Sequence, residues 1–352
     1  VKILSIETSC DETSLAIIEA KGGKTSADIP RFKIEKSLIA SQIEIHRPFG
    51  GVVPSLAKRE HLKNLPILYK QIFGTGQKEK KLWDKIDLIA VTVGPGLEPA
   101  LWAGITFAEE LAKKNDKPLV GANHLEGHLY SFLLKRPAGS VKDKASDLFP
   151  AIALIISGGH TILLEMDNLY EWKKIGETRD DAVGEAYDKV ARLLGLQYPG
   201  GPEIEKLAKV GNPKAIDFPR PMIYHKNYDF SFSGLKTSVR YYIVTHPGAE
   251  KDPKTKADIA ASFQEAALDV LSRKTGKAIK EVNAKALFIS GGVSINKTLR
   301  ERFKKDFGDE VAVYFPHREL CNDNAVMIGA AAYIKFMQGK KYRTVAQANL
   351  NM

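Results

Sequence analysis

The strongest constraint on this chain is a pattern that it writes twice. Near the N-terminus an apolar segment, Ile3-Leu-Ser-Ile6, enters a polar turn, Glu7-Thr-Ser-Cys-Asp-Glu-Thr-Ser14, and a second apolar segment, Leu15-Ala-Ile-Ile18, leads out. Around half the chain later Ala151-Ile-Ala-Leu-Ile-Ile156 enters Ser157-Gly-Gly-His160, and Thr161-Ile-Leu-Leu164 leaves. A third apolar strand, Ala286-Leu-Phe-Ile289, runs into Ser290-Gly-Gly292 and then into a helix from Asn296 to Phe303. Helical periodicity covers Pro99 to Lys114, Asp180 to Leu194, Pro202 to Lys209, Lys256 to Val282 and Ala325 to Met337. Strands alternating with helices define an α/β chain. The repeated hairpin predicts two related lobes, each with a tight turn directed at a common cleft.

The loop-like stretch Lys135 to Asp147, with Pro137, Gly139, Ser140 and Ser146, is the expected boundary. The first lobe is then 1–140 and the second 148–324, with a C-terminal helical segment, 325–352, packing back on the first. Two polar stretches, Lys21 to Lys36 and Thr75 to Lys85, read as surface excursions. The length of 352 residues agrees with two domains at roughly 100–200 residues each. Hydrophobic residues at 44% and charged residues at 27% exclude wholesale disorder. The longest apolar run, Phe149 to Ile156, falls far short of the ~20 residues of a membrane span. Val1-Lys-Ile-Leu-Ser-Ile6 reads as a strand and not a signal peptide. Two cysteines, Cys10 and Cys321, are too few for a disulfide framework, so a reducing cytoplasm is expected. The net charge of +10 favours a polyanionic partner such as nucleic acid.

Several motifs carry chemistry. Glycines after a buried strand let the backbone approach a ligand and turn its N–H groups outward, so Ser157-Gly158-Gly159 is a candidate phosphate nest. Ser290-Gly291-Gly292 repeats it before a helix N-terminus. One such turn is ordinarily just a turn; two at matching places, with the polar hairpin at Thr8 to Thr13, indicate a nucleotide cleft. In Asn123-His-Leu-Glu-Gly-His128 the histidines are four apart, on one face of a helix, and can share a metal ion. The metalloprotease pattern needs Glu beside the first His; here Glu126 lies two residues on. A third ligand should be a carboxylate, and Asp323 in Cys321-Asn-Asp-Asn324 is the best candidate. Two His and one Asp suit Fe(II), zinc or manganese.

Asp11 sits in the first turn, where it either contacts a ligand or stabilises the turn. Asp180-Asp181 lies where a helix begins and reads as a cap. Glu185, Asp188, Lys189 and Arg192 share a helix that is in good part a solvated face. Tyr198-Pro-Gly-Gly-Pro202 is a rigid turn whose Gly200 and Gly201 allow close approach of a ligand. His46, His61, His160, His225 and His317 read as structural. No Ser-His-Asp pattern, P-loop or zinc-type cysteine pair stands out.

Taken together, Ile6-Glu-Thr-Ser-Cys-Asp-Glu-Thr13, Gly50-Gly-Val-Val-Pro54, Asn123 to His128, Ser157-Gly-Gly-His-Thr161, Asp229-Phe-Ser-Phe-Ser-Gly-Leu-Lys236 and Ser290-Gly-Gly-Val-Ser-Ile-Asn296 closely resemble the TsaD family over residues 1 to about 335. The resemblance implies a two-lobe, actin-like and sugar-kinase-like (ASKHA) fold. It implies transfer of a threonylcarbamoyl group from threonylcarbamoyl-AMP to the exocyclic amine of the adenosine 3′ of the anticodon, in tRNAs reading codons that begin with A. It places a divalent metal, foremost Fe2+, with Zn2+ and Mn2+ as alternatives, on His124, His128 and Asp323. Substrate contacts fall on Asp11, on the backbone of Ile155, Ile156, Ser157, Gly158 and Gly159, and on Asp188, Gly201, Glu205 and Asn296. Asp11 is the expected catalytic group.

Archaeal and eukaryotic members offer a metal-binding Tyr where this chain has Ile155, so the resemblance is to the bacterial type. That type works with a smaller paralogous TsaB-type subunit and a TsaE-type ATPase. The helix face of Leu101, Trp102, Ile105 and Phe107 is then either the paralogue's docking face or plain core. Lys58, before Arg59, and the long Lys21 to Lys36 stretch depart from the family pattern. A small-molecule kinase or ATPase of the same superfold, a non-catalytic assembly paralogue and a metalloprotease are the rival readings. The His pair and the Asp188 helix argue against the first two, and the position of Glu126 against the third.

Overall fold

The structure is a computed structural model and describes residues 1–25, 27–134 and 144–352. The chain divides into two compact units, Val1–Ala145 with Pro316–Met352, and Ser146–Phe315. In chain order the elements are β1 (Lys2–Glu7), β2 (Glu12–Lys21), β3 (Arg31–Ser41), α1 (Ile43–His46), α2 (Pro54–Phe73), α3 (Gln77–Trp83), β4 (Leu88–Gly94), α4 (Glu98–Asn115), β5 (Leu119–Asn123) and α5 (His124–Tyr130). The second unit follows with β6 (Ala151–Ile156), β7 (Thr161–Met166), β8 (Trp172–Glu177), α6 (Val183–Leu193), α7 (Gly200–Ala208), α8 (Ser233–Thr245), α9 (Pro253–Val282), β9 (Ala286–Ser290), α10 (Lys297–Phe307) and β10 (Ala312–Tyr314). The last helix, α11 (Ala325–Met337), returns to the first unit.

Each unit is built on a five-stranded sheet, ordered β3-β2-β1-β4-β5 in the first and β10-β9-β6-β7-β8 in the second. In both, an antiparallel meander is continued by two parallel strands. The repeated hairpins of the sequence are therefore β1–β2 and β6–β7, the starts of two similarly constructed sheets. In the first unit both faces of the sheet are covered, which is why its central strands are apolar almost throughout. Leu4 and Ile6 pack with Leu65, Trp83, Leu101 and Ile105. Ile3, Ala16 and Ile18 face the other way, onto Met327, Ile328 and Tyr333 of α11. In the second unit α6, α7 and the long α9 bury Tyr187, Val190, Ile204, Phe263 and Leu271 with the sheet residues Ile152, Leu154 and Ile156. Among the described residues no helix is long and apolar enough to cross a membrane.

Several elements differ from expectation. The boundary expected at Lys135 to Asp147 falls mostly outside the described residues. Residues 316–324, expected in the second lobe, belong to the first unit. Leu320 lies in that unit's core, and Asn324 caps α11 by accepting from Met327 N at 3.0 Å. The helical part of 325–352 ends at Met337. The Lys21 to Lys36 stretch is in part the edge strand β3, whose burial alternates residue by residue, with Lys33 and Glu35 on the wet side. Charged side chains on an edge strand discourage pairing with other chains. Thr75 to Lys85 contains α3, anchored by Trp83 stacked on Phe73 at 4.8 Å.

Helix α7 can lie against α6 because residue 200 has no side chain. A Cβ there would stand 2.4 Å from Ala191 Cβ and 2.8 Å from Asp188 Cα. Gly200→Ala should therefore destabilise the protein by about 1–3 kcal/mol, the usual range for overpacking. Scanning calorimetry should show this as a lowered melting temperature, and an unchanged one would mean that the two helices part without strain.

Candidate active site

The first unit gathers a cluster of metal-type ligands. Strand β5 ends at Asn123, whose side chain caps α5 by accepting from Leu125 N at 2.8 Å and from Glu126 N. The cap starts the helix at His124 and puts His128 one turn later, with the two imidazoles edge to face at 4.7 Å. Asp323, from the segment leading into α11, supplies the third group. Its Oδ1 is 3.1 Å from His128 Nε2 and 3.5 Å from His124 Nε2. One ligand atom from each of the three lies within 4.8 Å of the others. Both histidines are buried, whereas the Asp323 side chain is 21% exposed, so the cluster is open on the carboxylate side. Two imidazole nitrogens and a carboxylate oxygen, with open positions beside them, fit a divalent transition metal. Burial disfavours charge on His124, but Asp323 and Glu7 outweigh it and lift its pKa to about 9.

Carboxylates surround this trio. Glu7, fully buried at the end of β1, lies 3.1 Å from His124 Nδ1. Asp11 is nearly buried in the following turn, and its backbone carbonyl accepts from Gln42 N at 2.9 Å. Burial, then Asp11 and Asp323, pushes the neighbouring Glu12 carboxyl well above the usual carboxylate range. Burial and the same acids push the Cys10 thiol up. Glu126 is engaged elsewhere, with Lys335 Nζ at 2.8 Å and Tyr342 Oη at 2.7 Å on its Oε1. It does not serve as a base beside the trio. Beneath the turn, His61 Nε2 meets Cys10 O at 2.9 Å and Nδ1 meets Thr13 Oγ1 at 2.8 Å. His46 Nε2 is 3.0 Å from Gln42 Oε1. Both rings have structural roles, as their isolation in sequence indicated.

In the second unit the glycine turns gather at the strand ends. Ser157 N donates to His160 O at 2.8 Å, closing the β6–β7 turn. A Cβ on Gly158, Gly159 or Gly201 would meet nothing within 4 Å, so the backbone there is open to a ligand. Gly184 packs α6 onto that turn: a Cβ would stand 2.5 Å from Ser157 O. Gly291, with φ +89°, would bring a Cβ 2.4 Å from Ile156 O. Ile155 and Ile156 bury their side chains, leaving only backbone for contact. Asp188 Oδ1 accepts from Gly200 N at 2.7 Å, and Glu205 Oε1 accepts from Lys297 N at 2.9 Å. Asn296 caps α10 by accepting from Leu299 N at 2.9 Å and donates to Gln264 Oε1 at 3.1 Å. All three polar residues thus tie the starts of α7 and α10 to their neighbours.

Sequence reasoning missed two things here. Glu7 was only part of a motif, although a carboxylate ending an apolar strand is itself a signal. Asp180 caps α8 and not the nearer α6: it accepts from Phe232 N at 2.8 Å and from Ser231 and Ser233 Oγ at 2.6 Å each. The Asp229 to Lys236 motif is thereby anchored, with Lys236 Nζ 2.8 Å from Asp181.

A family model described as TsaD, tRNA N6-adenosine threonylcarbamoyltransferase, matches residues 33–330. The tRNA N6-adenosine threonylcarbamoyltransferase of Fervidobacterium nodosum is 46% identical over 341 residues, covering 96% of this chain and 94% of its own. That of Thermosipho melanesiensis is 45% identical over 351 residues, covering 99% of each. Among solved structures, T. kodakarensis HypF superposes with a TM-score of 0.56 at 14% identity, covering 96% of this chain and 48% of that one. The activator of 2-hydroxyisocaproyl-CoA dehydratase from Clostridium difficile, with bound ADPNP, gives 0.50 at 12% identity, covering 97% and 99%. At these identities the likeness speaks for the fold alone, which is of the actin-like ASKHA type.

The imidazole beneath the Asp11 turn makes stability depend on pH. Burial lowers the pKa of His61 from the ordinary 6.5. The unfolded chain therefore takes up a proton as the pH falls below that value, while the folded ring stays neutral, and stability is lost in that direction. The melting temperature should fall between about pH 7 and pH 5.5, and fall less in His61→Gln than in wild type. Equal slopes for the two proteins would assign the dependence to other groups.

Proposed function

The chain belongs to the TsaD family, and from that premise we propose that it transfers the threonylcarbamoyl group of threonylcarbamoyl-AMP to N6 of the adenosine 3′ of the anticodon in tRNAs reading codons that begin with A, releasing AMP. The reaction forms a bond from N6 to the carbamoyl carbonyl carbon. The C–O bond of the mixed anhydride breaks, AMP departs with its electron pair, and N6 gives up a proton. An adenine amine is a weak nucleophile because its lone pair is delocalised into the ring, so an activated donor is needed.

The observation that carries the reading is the His124–His128–Asp323 cluster beside the Asp11 turn, in a chain related to transferases over its full length. Phosphoryl transfer by a kinase of the same superfold gives this cluster no role. We assign to it one divalent ion, Fe2+ foremost, with Zn2+ and Mn2+ as alternatives. When bound, the metal supplies a Lewis acid that orients the carbamoyl group and stabilises charge on it. Asp11 contacts the attacking amine and accepts its proton. The exposed backbone of Ser157, Gly158 and Gly159, with Ile155 and Ile156 behind it and Gly201 alongside, receives the nucleotide part. Asp188, Glu205 and Asn296 hold that surface in shape and complete the substrate contacts.

The partners of this reading are tRNA, a TsaB-type paralogue and a TsaE-type ATPase, in the cytoplasm. Leu101 and Ile105 are fully buried and belong to the core. Trp102, on the same helix, remains partly exposed and is the residue we assign to the paralogue's docking face.

Reconstitution with threonine, bicarbonate, ATP, the adenylate-forming enzyme, the partners and tRNA tests the proposal, with mass spectrometry detecting the modified nucleoside. No modified nucleoside, from components that make it when a relative replaces this chain, would overturn it. In the same assay Asp11→Asn keeps the shape of the turn and loses the charge. It should transfer at least ~100-fold more slowly with an unchanged melting temperature. Near-wild-type transfer would return Asp11 to a turn-stabilising role. With net charge +10, tRNA affinity should fall steeply between low and moderate salt, as each phosphate contact releases counterions. A flat salt response would give the basic excess another purpose.

A further inference from the structure

We infer that Glu7 is a positioning residue for the metal, locking the His124 ring so that Nε2 is presented to the ion. The inference rests on the metal reading of the His124–His128–Asp323 cluster. Glu7 ends an otherwise apolar strand and has no exposed surface. A buried carboxylate is costly unless its oxygens are satisfied. Here they are satisfied by donors alone. Ser9 N donates to Oε1, Thr92 Oγ1 donates to Oε2 at 2.7 Å, and His124 Nδ1 lies 3.1 Å from the same oxygen. Among the described residues His124 is its only ion-pair partner.

This arrangement defines the ring's protonation. Nδ1 must carry hydrogen to face a carboxylate, which leaves the lone pair on Nε2, the atom 3.5 Å from Asp323 Oδ1. Ser9 Oγ, 3.1 Å from Nδ1, closes the remaining approach to that side of the ring. Metal-binding histidines commonly give their second N–H to a carboxylate, which fixes ring orientation and raises basicity. The second histidine lacks such support: His128 Nδ1 is buried with no hydrogen-bond partner among the described residues. Of the two rings, His124 is thus the one held by a carboxylate on its far nitrogen.

The charge matters as well as the shape. A glutamine at this position has one acceptor and one donor group. If its oxygen faces His124, its amide faces the Ser9 N–H; if its oxygen faces Ser9, its amide faces Nδ1–H. Either way two donors confront each other.

The test is Zn2+ affinity, measured in competition with a chromophoric chelator on full-length protein. Glu7→Gln should bind Zn2+ about 10–100-fold more weakly than wild type. The buried donor–donor contact should also lower its melting temperature in excess chelator, so the two affinities are compared where both proteins are folded. Wild-type affinity in the folded variant would overturn the role, as would a lowered chelator-treated melting temperature with no change in affinity, which marks a purely structural residue. If Glu7→Gln does not fold, Thr92→Val decides, because it removes the hydroxyl that fixes Oε2 and lets the carboxylate turn away from His124. It should weaken Zn2+ binding in the same direction, and unchanged affinity would overturn the inference. A wild-type protein that takes up no Zn2+, Fe2+ or Mn2+ would overturn the metal reading and this one with it.

Discussion

Three strands that run in the same direction and stop together hold the first unit's chemistry in place. Strands β1, β4 and β5 are parallel neighbours, with Ile6 opposite Val91 and Thr92 opposite Ala122. Their C-terminal ends therefore deliver Glu7, Thr92 and Asn123 to one edge of the sheet, and α5 starts from the last of these. Ligand sites of open α/β sheets lie at this edge because the strand ends there are free of connections crossing the face. The register is strict, since a slip of one residue in β1 would send Glu7 to the other side of the sheet and its apolar neighbours with it. Leu4 and Ile6 on one face and Ile3 on the other are packed too well to permit that. The hydrogen bonds from Thr92 and His124 to Glu7 are thus consequences of a ladder held by apolar burial.

The same edge concentrates negative charge in a chain with a net positive one. Burial, reinforced by Asp11 and Asp323, raises Glu12 and the Cys10 thiol. Such crowding is unfavourable in an empty site and is relieved by a cation. The chain as a whole carries 52 Lys and Arg against 42 Asp and Glu, an excess suited to a polyanion. In the proposed reaction the two demands separate: acids at the strand ends would hold the metal and act on a proton, and bases elsewhere would meet phosphate.

Much of this was legible in the sequence where the signal was local. The two hairpins read as repeated apolar–polar–apolar segments because both of their strands are buried. Helices α4, α9 and α11 carry long periodic patterns, and His124 and His128 lie one turn apart. Helix α2 escaped notice: it contains Pro66, and its apolar residues are divided between a buried face and the exposed Leu62 and Ile67. Strand β3 was hidden by the charges of its wet face, Arg31, Lys33 and Glu35, although Phe32 and Ile34 alternate with them. The capping roles of Asp180, Glu205 and Asn296 were not legible either, or only in part. A cap on the residue's own helix can be read from spacing, as for Asn296, but Asp180 and Glu205 satisfy backbone groups that only tertiary structure brings near. Glu7 was missed for a related reason: its partners are 85 and 117 positions away.

The candidate metal cluster spans a long separation, 195 positions between His128 and Asp323. The whole second unit lies within that interval, yet the entropy of closing so long a loop grows only slowly with its length. What closes it is α11. Nearly every residue of the helix is buried, and Ala325 N donates to Ser14 Oγ at 2.9 Å, pinning its start to β2. Gly329 lets it approach the sheet, where a Cβ would stand 2.6 Å from Ile18 Cδ1. Asp323 is thus carried into place by a helix that has no other place to pack, and the two histidines by a capped helix at a strand end. Ligands mounted on packed elements are held more accurately than ligands on loops. A cation bound there would in turn favour the docked α11 over any state in which the returning segment is released, so that occupancy of the site and closure of the first unit support each other.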